Sequence, residues 1–396
     1  MNTLVRKEQI TSRFVELYGG QPTLWSQAPG RVDLMGSHTD YNEGFVLTLA
    51  INRDTWIAAR PRSDRQVSVF SLNVEGGGLY DLDAISHDTL SPWTNYVRGV
   101  AAVMQQEGYA THGFDGLIHS SIPFGSGLSS SAALEVATAV LFDALGDLQI
   151  DPIRIAIMCQ RAENTFVGMN CGILDQYSSV MGRAGSVLLL DCRDISSQTR
   201  PIAGGIQVVI CDTRAERALT GSEYAERRAQ CEEGARILTG FYPQVAGFYL
   251  QVQTLRDVSL EQWRAHKADL SEVVARRCRF IIEENRRVLD VAEALAQGDH
   301  ARLGSLATAS FAGARDLYEI VSPEMEHMMA AMQSAPGVIG ARQTGAGFGG
   351  CMVAFVRQGG VEGFAQGVQA EYAARTGISA HVYAVRAAPG AGVLVF

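Results

Sequence analysis

Ser129, Ser130 and Ser131 follow two glycines in the stretch Ser121-Ile-Pro-Phe-Gly-Ser-Gly-Leu-Ser-Ser-Ser-Ala-Ala-Leu134. Gly125 and Gly127 permit a tight backbone turn in which successive N–H groups face one point. Apolar residues at Leu134, Ala137, Val140 and Leu141 recur at helical spacing, so a helix is expected from about Ser129. Its unpaired N–H groups and dipole favour an anion at that end. The serine hydroxyls add phosphate donors and an oxygen ligand for Mg²⁺. The segment therefore reads as a phosphate cradle. It lacks the Gly-Lys-Ser/Thr of a Walker loop and the glycine spacing of a dinucleotide fingerprint. A flexible Gly/Ser linker would not run straight into an amphipathic helix.

Three further segments carry groups fit for chemistry. Ala28-Pro-Gly-Arg-Val-Asp-Leu-Met-Gly-Ser-His-Thr-Asp-Tyr-Asn-Glu-Gly44 reads as a polar loop before a strand. It offers Arg31, His38 and Asp40 as polar heads of the kind that sugar hydroxyls need. The segment from Ala162 to Gln176 places Glu163 and Asp175 twelve residues apart. Thr344-Gly-Ala-Gly-Phe-Gly-Gly-Cys351 is a glycine-rich turn between apolar runs. Each has a plain structural alternative, a surface ion pair, a solvated charge or a hairpin, and gains weight only beside the cradle.

These groups need elements to hold them. The chain has 396 residues, 47% of them hydrophobic and 19% charged, enough for two or three cored domains. Net charge is −9 with no Lys/Arg block, which argues against a nucleic-acid groove. No apolar run is long enough to span a membrane and the N-terminus carries no signal core, so a cytoplasmic protein with no membrane partner is expected. Seven cysteines without a CxxC pair suggest reduced thiols. Eight histidines form no zinc-type cluster. Patterning predicts strands at 45–51, 55–60, 67–72, 114–120 and 186–191, and helices at 94–107, 129–145 and 151–166. A compositional shift at 193–200 suggests a domain boundary. Beyond it come a strand at 205–211, helices near 222–239, 274–296, 301–316 and 323–333, a strand-loop-strand at 340–356, a helix at 361–376 and a strand at 380–386. The class is mixed α/β or α+β in two domains.

Gly30-Arg-Val with His38-Thr-Asp-Tyr-Asn, then Pro123-Phe-Gly-Ser-Gly-Leu-Ser-Ser-Ser-Ala, then Thr344-Gly-Ala-Gly-Phe-Gly-Gly resemble the three motifs of the GHMP small-molecule kinases. Cys171-Gly-Ile-Leu-Asp-Gln176, Trp93-Thr-Asn-Tyr96 and Ser222-Glu-Tyr-Ala-Glu-Arg-Arg228 extend the similarity to the galactokinase family over nearly the whole chain. The resemblance implies a two-lobed GHMP fold, with a ribosomal-S5-like lobe at 1–195, a ferredoxin-like lobe at 196–396 and the active site in the cleft. It implies an ATP-dependent sugar 1-kinase that phosphorylates the anomeric hydroxyl of galactose to galactose 1-phosphate. By the same resemblance Asp175 is the catalytic aspartate and Arg31 its partner. Ser37, His38, Asp40, Gly172 and Tyr224 fall on sugar positions. Gly125, Ser126, Gly127, Leu128, Ser129, Ser130 and Ser131 form the phosphate loop, and Trp93 lines the base pocket. Ser131 and Glu163 are the Mg²⁺ ligands, and Gly345 to Gly349 support the site from the second lobe. A monomer acting on small molecules is expected, with a homo-oligomer as the alternative.

Two positions depart from the family pattern. Glutamate is usual where this chain has Ser37, and that glutamate generally holds the sugar's C6 hydroxyl. Asparagine is commoner where it has Asp33. Serine at 37 is compatible with a weaker bond to the hydroxyl, direct or through water. It is also compatible with a sugar altered at C6, galacturonate or L-arabinose, because a glutamate would repel a carboxylate. No extra Arg or Lys sits in the segment to pair with a uronate's carboxylate, which favours galactose. A sugar sensor without turnover is a further alternative, against which the intact loop, Asp175 and Arg31 all argue.

Overall fold

The computed structural model describes residues 3–215, 221–241 and 252–396. In chain order the elements are α1 (Thr3–Tyr18), β1 (Leu24–Met35), β2 (Phe45–Pro61), β3 (Gln66–Ser71), β4 (Gly76–Asp81), α2 (Thr94–Gln106), β5 (Phe114–Ser120), α3 (Ser130–Gly146), α4 (Pro152–Ala162), α5 (Leu174–Met181), β6 (Ser186–Asp191) and β7 (Ser196–Pro201). There follow β8 (Ile206–Asp212), α6 (Gly221–Thr239), α7 (Leu260–His266), α8 (Glu272–Gln297), α9 (His300–Gly313), α10 (Pro323–Ser334), β9 (Val338–Gln343), β10 (Cys351–Arg357), α11 (Val361–Thr376), β11 (His381–Val385) and β12 (Gly392–Val393).

Two sheets organise the chain. The first runs β12-β1-β2-β5-β3-β4, with β6 also on β2 and β7 on β6. The second runs β11-β8-β10-β9. Period-2 alternation sorts the second sheet's side chains onto two faces. Cys351, Val353 and Phe355 join the large core beneath the first sheet, where α2, α3, α4 and α8 also pack. Met352, Ala354 and Val356 face α10 and α11. The lobes thus share one continuous apolar core. Truncating one of its buried aromatics, Phe355 for example, would cost about 3–5 kcal/mol.

Local chemistry sets the helix ends. Asp151 caps α4 by accepting from the N–H groups of Ile153 and Arg154, with Pro152 in the first turn. Ser271 caps α8, and left-handed Gly298 ends it.

Several expectations are revised. The stretch around Arg31 is no loop: it is the last part of β1, paired with β2 through bulges between Pro29 and Arg31 and between Asp33 and Met35. Its polar residues mark a strand end that faces a site, not a loop. The runs at 45–51 and 55–60 are one strand: β2 continues through the polar Asn52-Arg53-Asp54, its pairing to β1 shifting from Ala50 opposite Arg31 to Asp54 opposite Pro29. Residues 196–201 pair with β6 and belong to the first sheet, so the divide between sheets falls after Pro201, not at 195. The C-terminus also returns to the first lobe, where β12 pairs with β1. Helices α1, α5 and α7 have no counterpart in the sequence patterning. The amphipathic α1 lays Ile10 and Phe14 against Trp25, Trp56 and Leu117 on the outer face of the first sheet.

Candidate active site

The strand β1, the loop before α3 and the first turn of α5 converge on one carboxylate. Arg31 Nε and Nη2 reach Asp175 Oδ1 at 2.8 and 2.6 Å, a forked contact that fixes direction as well as charge. Ser129 donates its hydroxyl to Asp175 Oδ2 at 2.5 Å. Asp175 keeps partial access to the cleft, while Arg31 is buried and donates Nη1 to the carbonyl of Gly127 at 2.6 Å. The arginine therefore ties carboxylate and loop together.

The loop itself has the geometry of a cradle. Gly125 and Gly127 adopt φ of 69° and 81°, and Ser129 a left-handed φ of 60°. That conformation costs a residue with a side chain about 1 kcal/mol, and the bond to Asp175 helps to offset it. The helix opens at Ser130, so its free N–H groups point into the loop. From the other lobe, the N–H of Cys351 bonds the carbonyl of Ser126 at 3.2 Å. Gly345 of the second lobe lies in ordinary contact range, where a Cβ would sit 3.6 Å from the carbonyl of Gly127.

Ser131 and Glu163 meet beneath the loop, the serine hydroxyl bonding the carboxylate. Glu163 also accepts from Gln176 Nε2 at 2.6 Å and from the Cys171 thiol at 3.2 Å. Burial, reinforced by the negative charge of Asp175, pushes the Glu163 carboxyl above its ordinary range. Two oxygen donors beside uncompensated negative charge fit a Mg²⁺ that completes its shell with water and phosphate. Among the described residues, no group of three or more His, Cys, Asp or Glu is arranged as an all-protein metal cage. Trp93 stands immediately before α2, partly buried against the large core.

The opposite wall comes from residues 36–44. His38 is buried with a φ of 66°. Burial pulls its imidazole down to about 4, so it is neutral near pH 7. Nε2 must carry the proton, because it faces the carbonyl of Ala346 at 2.9 Å. Nδ1 then accepts from the Tyr41 hydroxyl at 2.8 Å, and Tyr41 accepts in turn from Tyr318 at 2.7 Å. Both His38 nitrogens are thereby used within the protein. Asp40 packs on Gly172 so tightly that a Cβ there would lie 1.8 Å from Oδ2. Burial raises the Asp40 carboxyl to about 6, with nearby Asp175 and Asp33 adding to the rise against a backbone bond at Tyr41. The Tyr224 ring stands 5.3 Å from that of His38 and 5.5 Å from that of Tyr41.

Ser37 lies elsewhere than a simple sugar contact would. It is buried and donates to Asp33 Oδ2 at 2.7 Å while accepting from Arg342 Nη2 at 2.9 Å. Arg342 was invisible to sequence reasoning. It sits 305 residues along the chain from Ser37, in the first strand of the strand-loop-strand expected at 340–356, and only its place two residues before the glycine-rich turn could have flagged it. Thr344, whose hydroxyl accepts from the Asp33 N–H at 3.0 Å, was missed as a tie for the same reason.

The two lobes and the three converging segments define a GHMP kinase. The family model for the GHMP kinases N terminal domain matches residues 95–183, and that for GHMP kinases C terminal matches 291–374. The galactokinase galactose-binding signature matches residues 12–61. Galactokinase from Roseiflexus sp. (strain RS-1) is 43% identical over 97% of this chain and 96% of its own length. That from Chloroflexus aggregans is 43% identical over 93% of each. The solved structure of Lactococcus lactis galactokinase complexed with galactose matches with a TM-score of 0.92 at 33% identity, covering 99% of this chain and 100% of that one. The chain belongs to the galactokinase family. Mevalonate kinase from Methanococcus jannaschii, with a TM-score of 0.63 at 15% identity over 92% of this chain and 98% of that one, shares the fold alone.

Proposed function

We propose that the chain transfers the γ-phosphoryl group of ATP to the anomeric hydroxyl of galactose. The observation that carries this reading is Asp175, held by Arg31 and Ser129 between the phosphate loop and Asp40. The sugar O1 attacks the γ-phosphorus, the O–P bond to ADP breaks, and the hydroxyl proton passes to Asp175. Galactose 1-phosphate and ADP result. Because the protein contributes little covalent chemistry to phosphoryl transfer, positioning and charge neutralisation carry the rate. Arg31 opposes the charge that develops beside Asp175, and the loop N–H groups hold the phosphate oxygens. Ser131 and Glu163 would hold Mg²⁺, which supplies charge neutralisation on the phosphates when bound. Asp40 and Tyr224 face the sugar, and Trp93 the nucleotide base.

Galactose is favoured over a uronate because the nearby cations are matched. Arg31 pairs with Asp175, Arg342 with Glu284 and Asp33, Arg227 with Glu226 and Arg228 with Glu232. To use a buried cation, a carboxylate at C6 would have to break the Arg31 or the Arg342 pairs, while the Arg227 and Arg228 pairs are to exposed glutamates. The test is ATP consumption with Mg²⁺ across galactose, galacturonate, L-arabinose, glucose and N-acetylgalactosamine, with the product's phosphate position read by NMR. Galactose should lead in kcat/KM with phosphate on O1. A lead for galacturonate would overturn the sugar assignment, and binding without turnover on any sugar would overturn the kinase.

A further inference from the structure

A wholly enclosed cluster of polar groups lies where residues 33–37 cross onto the second lobe. Arg342, with no exposed surface, donates Nη2 to Ser37 Oγ at 2.9 Å and to Glu284 Oε1 at 3.0 Å, and Nε to Ser310 Oγ at 3.0 Å. Each serine passes its own proton to a carboxylate: Ser37 to Asp33 Oδ2 at 2.7 Å, Ser310 to Glu284 Oε1 at 2.8 Å. Arg287 Nε completes Glu284 at 2.8 Å. Two guanidinium groups therefore face two carboxylates. A hydroxyl has one proton and two lone pairs: Ser37 gives the proton to Asp33, accepts from Arg342 on one lone pair, and is only 2% exposed, which leaves a ligand little access to the other.

We infer that Ser37 is a positioning residue and not a sugar contact, and that with Asp33 and Arg342 it locks the sugar-facing segment to the second lobe. The inference rests on the reading of the site as a galactose kinase and names how its sugar wall is held. Neighbouring bonds show what the lock secures. The N–H of Gly36 reaches Glu284 at 3.3 Å, and the N–H of Phe45 reaches Asn285 at 2.7 Å. His38, next in sequence to Ser37, is held to Ala346 in the glycine-rich turn, and Asp33 to Thr344 at the start of that turn. Asp40 hangs between these anchors. Releasing Ser37 frees the backbone that carries Asp40, so the loss falls on sugar affinity while the phosphate loop stays in place.

The test compares Ser37→Ala with the parent full-length chain on galactose and on each monodeoxygalactose that the parent phosphorylates. The expected result is the same loss of kcat/KM for every sugar, about tenfold for one buried hydrogen-bonded hydroxyl. It should be carried by the sugar KM, with the ATP KM unchanged. A loss that vanishes for one deoxysugar would show that Ser37 bonds that hydroxyl directly and would overturn the inference. Should the parent phosphorylate none of these sugars, the proposed function fails, and the lock is read without turnover. In urea unfolding, Ser37→Ala and Arg342→Lys should then be strongly non-additive, the double variant scarcely less stable than Arg342→Lys alone. Additive losses would overturn the lock.

Discussion

Ser129 donates its hydroxyl to one oxygen of Asp175 while Arg31 occupies the other, so the carboxylate is gripped from two sides before any substrate arrives. The serine that opens the phosphate helix thus belongs as much to the base as to the cradle. It makes the placement of the γ-phosphate and the orientation of Asp175 a single geometric event.

The first prediction follows from that grip. Asp175→Asn should lower kcat by about 10³-fold or more with the fold intact, since the amide cannot take the sugar's proton. Ser129→Ala should cost about tenfold, because the carboxylate remains but is less well aimed. Circular dichroism and thermal melting would verify folding beside the kinetics. Near-parental turnover in Asp175→Asn would remove this residue from the mechanism.

Gly172 provides a steric test of the sugar wall. A methyl group there would collide with the Asp40 carboxylate, so Gly172→Ala should push Asp40 away. The galactose KM should rise about tenfold to a hundredfold with the ATP KM unchanged. Equal rises in both would mean that the segment supports the whole cleft and not the sugar alone.

The pair Asp40 and His38 makes a signed prediction about pH. Burial raises Asp40 to about 6 from an ordinary 3.8. The folded chain therefore holds a proton that the unfolded chain releases, and this contribution to stability falls as pH rises from 3.8 to 6. Burial lowers His38 from 6.5 to about 4, so its contribution rises with pH between 4 and 6.5. In the parent the two oppose each other between pH 4 and 6. Asp40→Asn removes the first, so urea unfolding should show the variant gaining on the parent over that window. The gain is at most about 3 kcal/mol, reduced by the partial solvent access of Asp40. A pH-independent difference would return Asp40 to the ordinary carboxylate range.

Glu163 and Ser131 predict the metal dependence. Glu163→Gln should raise the Mg²⁺ concentration for half-maximal activity about tenfold or more, and Ser131→Ala by less. Thermal melting would check folding, because the carboxamide keeps one acceptor oxygen where Glu163 presents two to Gln176, Cys171 and Ser131. An unchanged Mg²⁺ titration would locate the cation on other ligands.

What the sequence by itself determined was the set of local devices. Glycines at 125 and 127 before an apolar helical run permit a turn that brings N–H groups toward one point. Helices α3, α8, α10 and α11 lie within a few residues of the runs expected from patterning, although α3 is buried on nearly every face and not on one apolar stripe. The end of β1 was misread as a loop because Gly30, Arg31 and Asp33 break alternation, and a strand that ends in a site must carry such residues. Only the tertiary structure decided what each polar group spends its bonds on. Ser37 stands among sugar-facing residues in sequence, yet its hydroxyl belongs to Asp33 and to Arg342 from the other lobe. His38 likewise gives both nitrogens to Ala346 and Tyr41. A hydrogen-bond donor is consumed by whichever partner the fold brings within about 3 Å, and that distance depends on the packing of two sheets across one core, which no local spacing records.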